Sequence, residues 1–320
     1  MESMVKYTLF EIFGKPVTAY ALCIVAALAL GLFLLFTEQK KRKLKAETAE
    51  IFALLALPLG VIGARAFYCL ARINFYLEIG AANMLRFWDG GYALWGAVAG
   101  AALAALLTAK MTKQPIPAIL DALSAPAALT IALCRFAEFF SGEGIGMYVE
   151  NEAFWRFPFA VCNEWGEWYW AIFLLEGLTA LVIFLVLMIK KSRLPGDQVK
   201  LFLLLYSSAQ VLLESLRRDN FLRWLFVRVS QLTAVLVLAG LMFAAVIRWM
   251  KLPKEQRMAT WKMIVSWGTF LACIGVSIWM EFAIDKSAFI PVWLCYCIMT
   301  VCCVGIGISA YHIVFKNQRQ

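Results

Sequence analysis

Apolar residues in this chain come in long runs broken by short polar or charged stretches, and the length of the runs sets the first expectation. Nine of them, at about 17–37, 49–70, 92–109, 118–140, 168–189, 199–216, 229–247, 263–282 and 292–315, reach or approach the length that crosses a bilayer as helix. The alternation of apolar and polar residues over short segments that marks an outer-membrane barrel is absent. The pattern predicts an all-α fold, a polytopic bundle of about nine transmembrane helices. The first run lacks a small-residue cleavage site and reads as a span rather than a removable leader.

Composition agrees. Of 320 residues, 63% are hydrophobic and 16% charged, against about 45–50% and about 25% in soluble domains. Disordered chains and disulfide-rich secreted scaffolds are excluded by the same numbers. The formal charge of +9 would suggest nucleic acid in a soluble protein, but here its placement matters more. Eighteen of the thirty Lys and Arg fall in alternate loops, beginning with Lys40, Lys41, Arg42, Lys43 and Lys45. That side is expected to be cytoplasmic, with the N-terminus outside and the C-terminus inside. No nucleic-acid partner is expected. The other face collects the irregular sequence, above all a loop over 141–167 rich in Glu and aromatics. Trp165, Trp168, Tyr169 and Trp170 lead from it into the fifth span as interfacial residues.

The nine Cys show no metal-ligand spacing, and neither metal nor cofactor is expected. Eight lie in apolar stretches, where Cys acts as a small hydrophobe, and Cys162 falls in a polar loop. His312 is the single histidine, which argues against a histidine base.

Charges inside spans are costly and are candidates for function. Arg65 closes the second span. Arg135 and Glu138 close the fourth, three residues apart and so on one helix face. Gln210, Glu214 and Arg217 lie at the end of the sixth. Arginines with carboxylates at one depth can hold a lipid phosphate, since guanidinium offers a planar fork of donors. The plainer reading is that they complement helix dipoles and reach for headgroups. Glu176, midway along the fifth span, has no sequence-local partner and is either protonated or paired across helices. Asp89, Gly90 and Gly91 read as a structural turn. Gly96 and Gly100 have small-xxx-small spacing and predict close helix packing. Ser141 to Gly146 either brings backbone amides to an anion or is an exit loop.

Taken in order, these features resemble the bacterial prolipoprotein diacylglyceryl transferases. The matching elements are Tyr20 in the first span, Gly63-Ala64-Arg65-Ala66-Phe67-Tyr68, Arg86-Phe87-Trp88-Asp89-Gly90-Gly91, and the run from Arg135 to Glu143. Leu174-Leu175-Glu176-Gly177, Glu214-Ser215-Leu216-Arg217 and Ser230-Gln231-Leu232 complete the series. The resemblance covers about Val5 to Arg248 and leaves the last two spans outside it. It implies a seven-span core over residues 1–250, followed by a cytoplasmic linker and two extra helices over 251–320.

The resemblance also implies a function. The enzyme would sit in the plasma membrane and take a diacylglyceryl group from phosphatidylglycerol or another anionic phospholipid. The acceptor would be the lipobox cysteine next to a preprolipoprotein signal peptide. Arg135, Glu138, Glu143 and Glu214 are the catalytic candidates, and Tyr20, Arg65, Arg135, Gln210 and Arg217 the headgroup-binding ones. Where the family carries a histidine and a sixth-span arginine, this chain has Trp95 and Gln210. A second reading is therefore kept: a non-catalytic protein that binds lipid or lipoprotein precursor on the same fold.

Overall fold

A computed structural model describes residues 8–12, 15–190, 194–218, 223–224, 227–253, 257–286 and 290–316. Nine helices among the described residues are long and apolar enough to cross a membrane. They are α1 (Ala19–Lys41), α2 (Thr48–Ala71), α4 (Leu94–Thr112), α5 (Ile116–Ala137), α6 (Ile172–Ile189), α7 (Asp197–Leu216), α8 (Val229–Lys251), α9 (Thr260–Lys286) and α10 (Val292–Phe315). A short α3 (Ile73–Ile79) follows α2. Three small antiparallel hairpins join β1 (Thr8–Ile12) to β2 (Lys15–Thr18), β3 (Ala160–Cys162) to β4 (Trp168–Trp170), and β5 (Arg223–Trp224) to β6 (Val227–Arg228). The fold is thus the expected all-α bundle.

Three boundaries differ from the sequence expectation, each for a local reason. The first helix runs on to Lys41, because Glu38 pairs with Lys41 at 2.8 Å and with Arg42 at 3.5 Å, one turn along. At its start the Thr18 hydroxyl accepts the Ala21 amide and caps the free N–H groups. The run at 168–170 is strand rather than helix: Trp168, Tyr169 and Trp170 pair with Cys162, Val161 and Ala160. The stretch between the second and third spans holds α3 and two 3-10 turns, which hydropathy alone does not separate from loop.

The chain forms two compact units. The first comprises Met1–Phe202 with Arg217–Ser230. Within it α2 packs on α4 backbone to backbone. A methyl group at Gly63 would stand 3.3 Å from Gly100 Cα and closer still to the Gly96 carbonyl. In lipid the hydrophobic effect does not press helices together, so such close approach supplies the packing energy. Helices α1 and α5 meet at Gly31, which lies against Thr130 and Pro126. Helix α6 meets α5 where Gly177 receives the Phe136 ring.

At the start of α7 a polar tie closes this unit. Asp121 of α5 accepts the Gly196 and Val199 amides at 2.8 and 3.0 Å, capping α7 from another helix. Gln198 donates to the Leu187 and Lys190 carbonyls, both at 3.1 Å, and accepts from Arg42. Outward faces expose Val25, Phe33, Leu54 and Leu57, the surface that acyl chains would cover.

The second unit comprises Leu203–Leu216 and Gln231–Gln320. Its interior includes Met280, Ala283, Cys295 and Met299, with Leu212 of α7 packed against them. Gly305 of α10 lies against the Cys273 sulfur of α9.

Candidate active site

The first unit contains a buried cluster of two arginines and two glutamates. Arg135 comes from the last turn of α5 and Glu138 from the 3-10 turn that continues it, so the expected i, i+3 pair is present. Glu176 comes from the first half of α6 and is 2% exposed at its side chain. Its Oε2 lies 3.2 Å from Arg135 Nε and 3.1 Å from Arg217 Nη1. Arg217 Nη1 also stands 3.8 Å from Glu138 Oε2. Of the two states open for Glu176, the structure shows the pairing across helices.

The chain positions each of these groups. α7 ends at Leu216, and Arg217 adopts extended backbone at φ −72°, ψ 141°. Its carbonyl accepts Arg228 Nη1 at 2.8 Å, and the next amide, of Arg218, donates to the Ile145 carbonyl at 2.9 Å. The glycine run after α5 is fastened as well. The Ser141 and Gly142 amides donate to the Glu138 carbonyl, Gly144 accepts from the Phe173 amide, and the Gly146 amide donates to the Trp170 carbonyl. Gly144 holds φ +72°, and a Cβ there would land on Glu138 Oε2. A side chain is thus excluded twice, by the backbone conformation and by the space. The run is an ordered wall beside Glu138 rather than a loose exit.

With two guanidinium and two carboxylate groups, the cluster balances charge in a low-dielectric setting. One oxygen stands apart in its bonding. Glu138 Oε2 is buried and accepts no hydrogen bond among the described residues, while Oε1 is held by Arg135 Nη1. An oxygen so placed can receive a proton, and the arginines beside it can receive phosphate oxygens. Tyr20, in the first turn of α1, lies within electrostatic reach of Glu143, Glu138 and Arg135. Glu143 is exposed.

The other candidates have other partners. Arg65 is 3% exposed and fastens the segment after α3. It donates to the carbonyls of Met84 and Asn83, each at 3.1 Å, and to that of Gly90, and its cation faces the Tyr76 ring at 5.5 Å. Gly90 and Gly91 take φ of +77° and +78°, the left-handed region that favours glycine. The side chain of Asp89 lies outside the described residues. Gln210 and Glu214 belong to the second unit, both buried on α7, where the Gln210 amide donates to Glu214 Oε2 at 3.0 Å.

Two features escape sequence reasoning, and the weight of a third is not visible to it. Glu176 is the hub of the cluster, and its one signal is a lone carboxylate in mid-span. Cys162, expected in a polar loop, is buried in β3. Glu281 is set in α9, outside the family resemblance, and it accepts a hydrogen bond from Gln231 at 3.0 Å.

Comparison with known proteins bears on this geometry. The model of the family described as prolipoprotein diacylglyceryl transferase matches residues 7–248. Among similar curated proteins are the phosphatidylglycerol–prolipoprotein diacylglyceryl transferases of Streptococcus pyogenes serotype M5 (strain Manfredo) and serotype M1. Each is 29% identical over 233 residues, covering 70% of this chain and 88% of the relative. The cluster residues Arg135, Glu138, Glu176 and Arg217 all fall inside the matched region, while α9 and α10 lie beyond it.

Proposed function

The chain belongs to the prolipoprotein diacylglyceryl transferase family, and on that premise we propose that it moves a diacylglyceryl group from phosphatidylglycerol to the lipobox cysteine of a preprolipoprotein. The reaction runs at the outer face of the plasma membrane, with the N-terminus outside and the C-terminus cytoplasmic. Residues 1–250 carry the transfer, and 251–320 are added to that core.

The step needs little covalent help from the enzyme, because the substrate brings its own thiol. Sulfur forms a bond to the glyceryl carbon as the bond from that carbon to the phosphate oxygen breaks. Glycerol phosphate leaves with the electron pair, and the thiol proton passes to a carboxylate. The protein must orient the two substrates, neutralise the charge growing on the leaving phosphate, and take up the proton.

The observation that carries this reading is the cluster of Arg135 and Arg217 around Glu138 and Glu176. Arg135 and Arg217 receive the phosphate. Glu138 accepts the proton at Oε2, the oxygen with no hydrogen bond of its own among the described residues. Glu176 holds the two guanidinium groups at a fixed spacing. Tyr20 borders the same charges, and Glu143 is a second proton acceptor at the exposed margin. Gln210 and Glu214 are retained as candidates through their place in the family's motif order. Arg65, whose donors already meet backbone carbonyls, serves the fold.

The test is direct. Purified protein incubated with phosphatidylglycerol and a lipobox peptide should give a peptide heavier by one diacylglyceryl group, and Arg135→Ala should abolish the product. No mass increase, with an active family member as positive control, would overturn the reading. Phospholipid that co-purifies with the wild type and is lost in Arg135→Ala, without turnover, would establish the non-catalytic binder instead.

A further inference from the structure

The two helices beyond the family match are built onto the last turns of α7. From α9, Glu281 Oε2 accepts the Gln231 side-chain amide at 3.0 Å, and the same Nε2 donates to the Val211 carbonyl at 2.9 Å. From α10, Met299 Sδ lies 4.0 Å from the Ser215 hydroxyl, whose own hydrogen bond goes to the Leu212 carbonyl at 2.6 Å. Two helical turns earlier on α7 the Cys303 thiol donates to the Ser208 carbonyl at 3.1 Å, beside Gly307. Leu212 packs among Met280, Ala283, Cys295 and Met299. The stretch gripped in this way, from Ser208 to Ser215, is the stretch that presents Gln210 and Glu214, themselves joined at 3.0 Å.

We propose that α9 and α10 form an intramolecular clasp on the end of α7, with Glu281 as a positioning residue that acts through Gln231. The inference rests on the transferase reading, in which the α7 turn bearing Gln210 and Glu214 takes part in the reaction. A side-chain amide has a donor end and an acceptor end. With a carbonyl and a carboxylate as its two neighbours, only the donor end of Gln231 satisfies both. Glu281 therefore adds a second acceptor that fixes the amide from α9, and the amide in turn holds the Val211 carbonyl, next in sequence to Gln210. Without the carboxylate the amide keeps the Val211 carbonyl alone, and the link from α9 to α7 is lost. Glutamine at 281 still offers an oxygen to Gln231, whereas leucine offers nothing.

Full-length Glu281→Leu and Glu281→Gln are compared with the wild type in the transfer assay. In Glu281→Leu kcat should fall about tenfold, the scale of one lost hydrogen bond to a charged acceptor, with KM for phosphatidylglycerol unchanged. Glu281→Gln should restore kcat to near the wild-type value. A wild-type kcat in Glu281→Leu, or an equal loss in both variants, overturns the proposal. Hydrogen exchange of the amides over 211–216 supplies a readout independent of activity, and it should rise in Glu281→Leu but not in Glu281→Gln. If the wild type proves inactive, the transferase reading fails while exchange still decides the clasp; unchanged exchange in Glu281→Leu refutes it.

Discussion

Arg135 and Arg217 converge on one oxygen: Glu176 Oε2 stands 3.2 Å from Nε of the first and 3.1 Å from Nη1 of the second. Two cations held to one carboxylate oxygen form a rigid pair of anion receptors, and they repel each other once that oxygen loses its charge. Glu176→Gln keeps the shape and removes the charge. It is expected to destabilise the folded protein by about 3 kcal/mol, within the range for removing one member of a buried ion pair. The check is thermal unfolding in detergent. A wild-type midpoint would show that the arginines do not depend on Glu176.

Glu138→Gln separates chemistry from structure. The amide keeps an oxygen for Arg135 but not the charge, so the loss of stability should be no larger than in Glu176→Gln, while transfer falls by roughly 10²- to 10⁴-fold with the loss of the proton acceptor. The same substitution at exposed Glu143 should cost less. A larger loss at Glu143 would reassign the base.

Gly144→Ala tests the wall beside that carboxylate. The native φ of +72° strains any residue with a Cβ, and the added methyl meets Glu138 Oε2 and the Phe173 side chain. A cost of about 1–3 kcal/mol is expected, together with reduced transfer. Gly166→Ala is the control for backbone strain, since its φ of +82° is similar but nothing lies within 4 Å of an added methyl. It should lose stability without losing transfer.

Arg65→Lys should loosen the segment after α3, because an ammonium cannot reproduce the fork that holds the Asn83, Met84 and Gly90 carbonyls. Limited proteolysis should then cut between Ile79 and Tyr92 faster than in the wild type. Equal rates would remove Arg65 from that role.

The β3–β4 hairpin predicts a pH response outside the spans. Tyr169 donates to Glu167 Oε2 at 2.8 Å, and Asn163 Nδ2 donates to the same oxygen at 2.8 Å. These hydrogen bonds hold the Glu167 carboxyl below its usual range, and the carboxylate pushes the Tyr169 phenol above its usual value. The carboxylate's contribution is present above the ordinary Glu value of about 4.3 and disappears as pH falls through the lowered one. The phenol's contribution is present below about 10 and disappears as pH rises through the raised value. Absorbance titration should find Tyr169 ionising later than an ordinary tyrosine, and Glu167→Gln should bring it back.

Much of this architecture is legible in the sequence because the bilayer fixes helix length and one-turn spacing fixes local pairs. Arg135 with Glu138 and the glycine contact of α2 with α4 follow from those two rules. The partnership of Glu176 with Arg217 does not, since 41 residues separate them and only packing brings them together. Cys162 was hidden for a different reason: all three residues of β3 are buried, which the polarity of the neighbouring sequence does not reveal. Glu281 was obscured by its surroundings, a single carboxylate at the end of an apolar run, with its meaning set by an amide 50 positions away.

The carboxylate of Asp121 carries a consequence for how the protein is made. Its two amide donors, at Gly196 and Val199, lie 75 and 78 residues further along the chain. A ribosome therefore delivers α5, with its acid, well before the groups that satisfy it, and α6 is threaded in between. A nascent chain halted before Gly196 holds that acid without either amide, and so differs chemically from a finished one. The tie at the start of α7 is therefore complete only once the chain has been made past Val199.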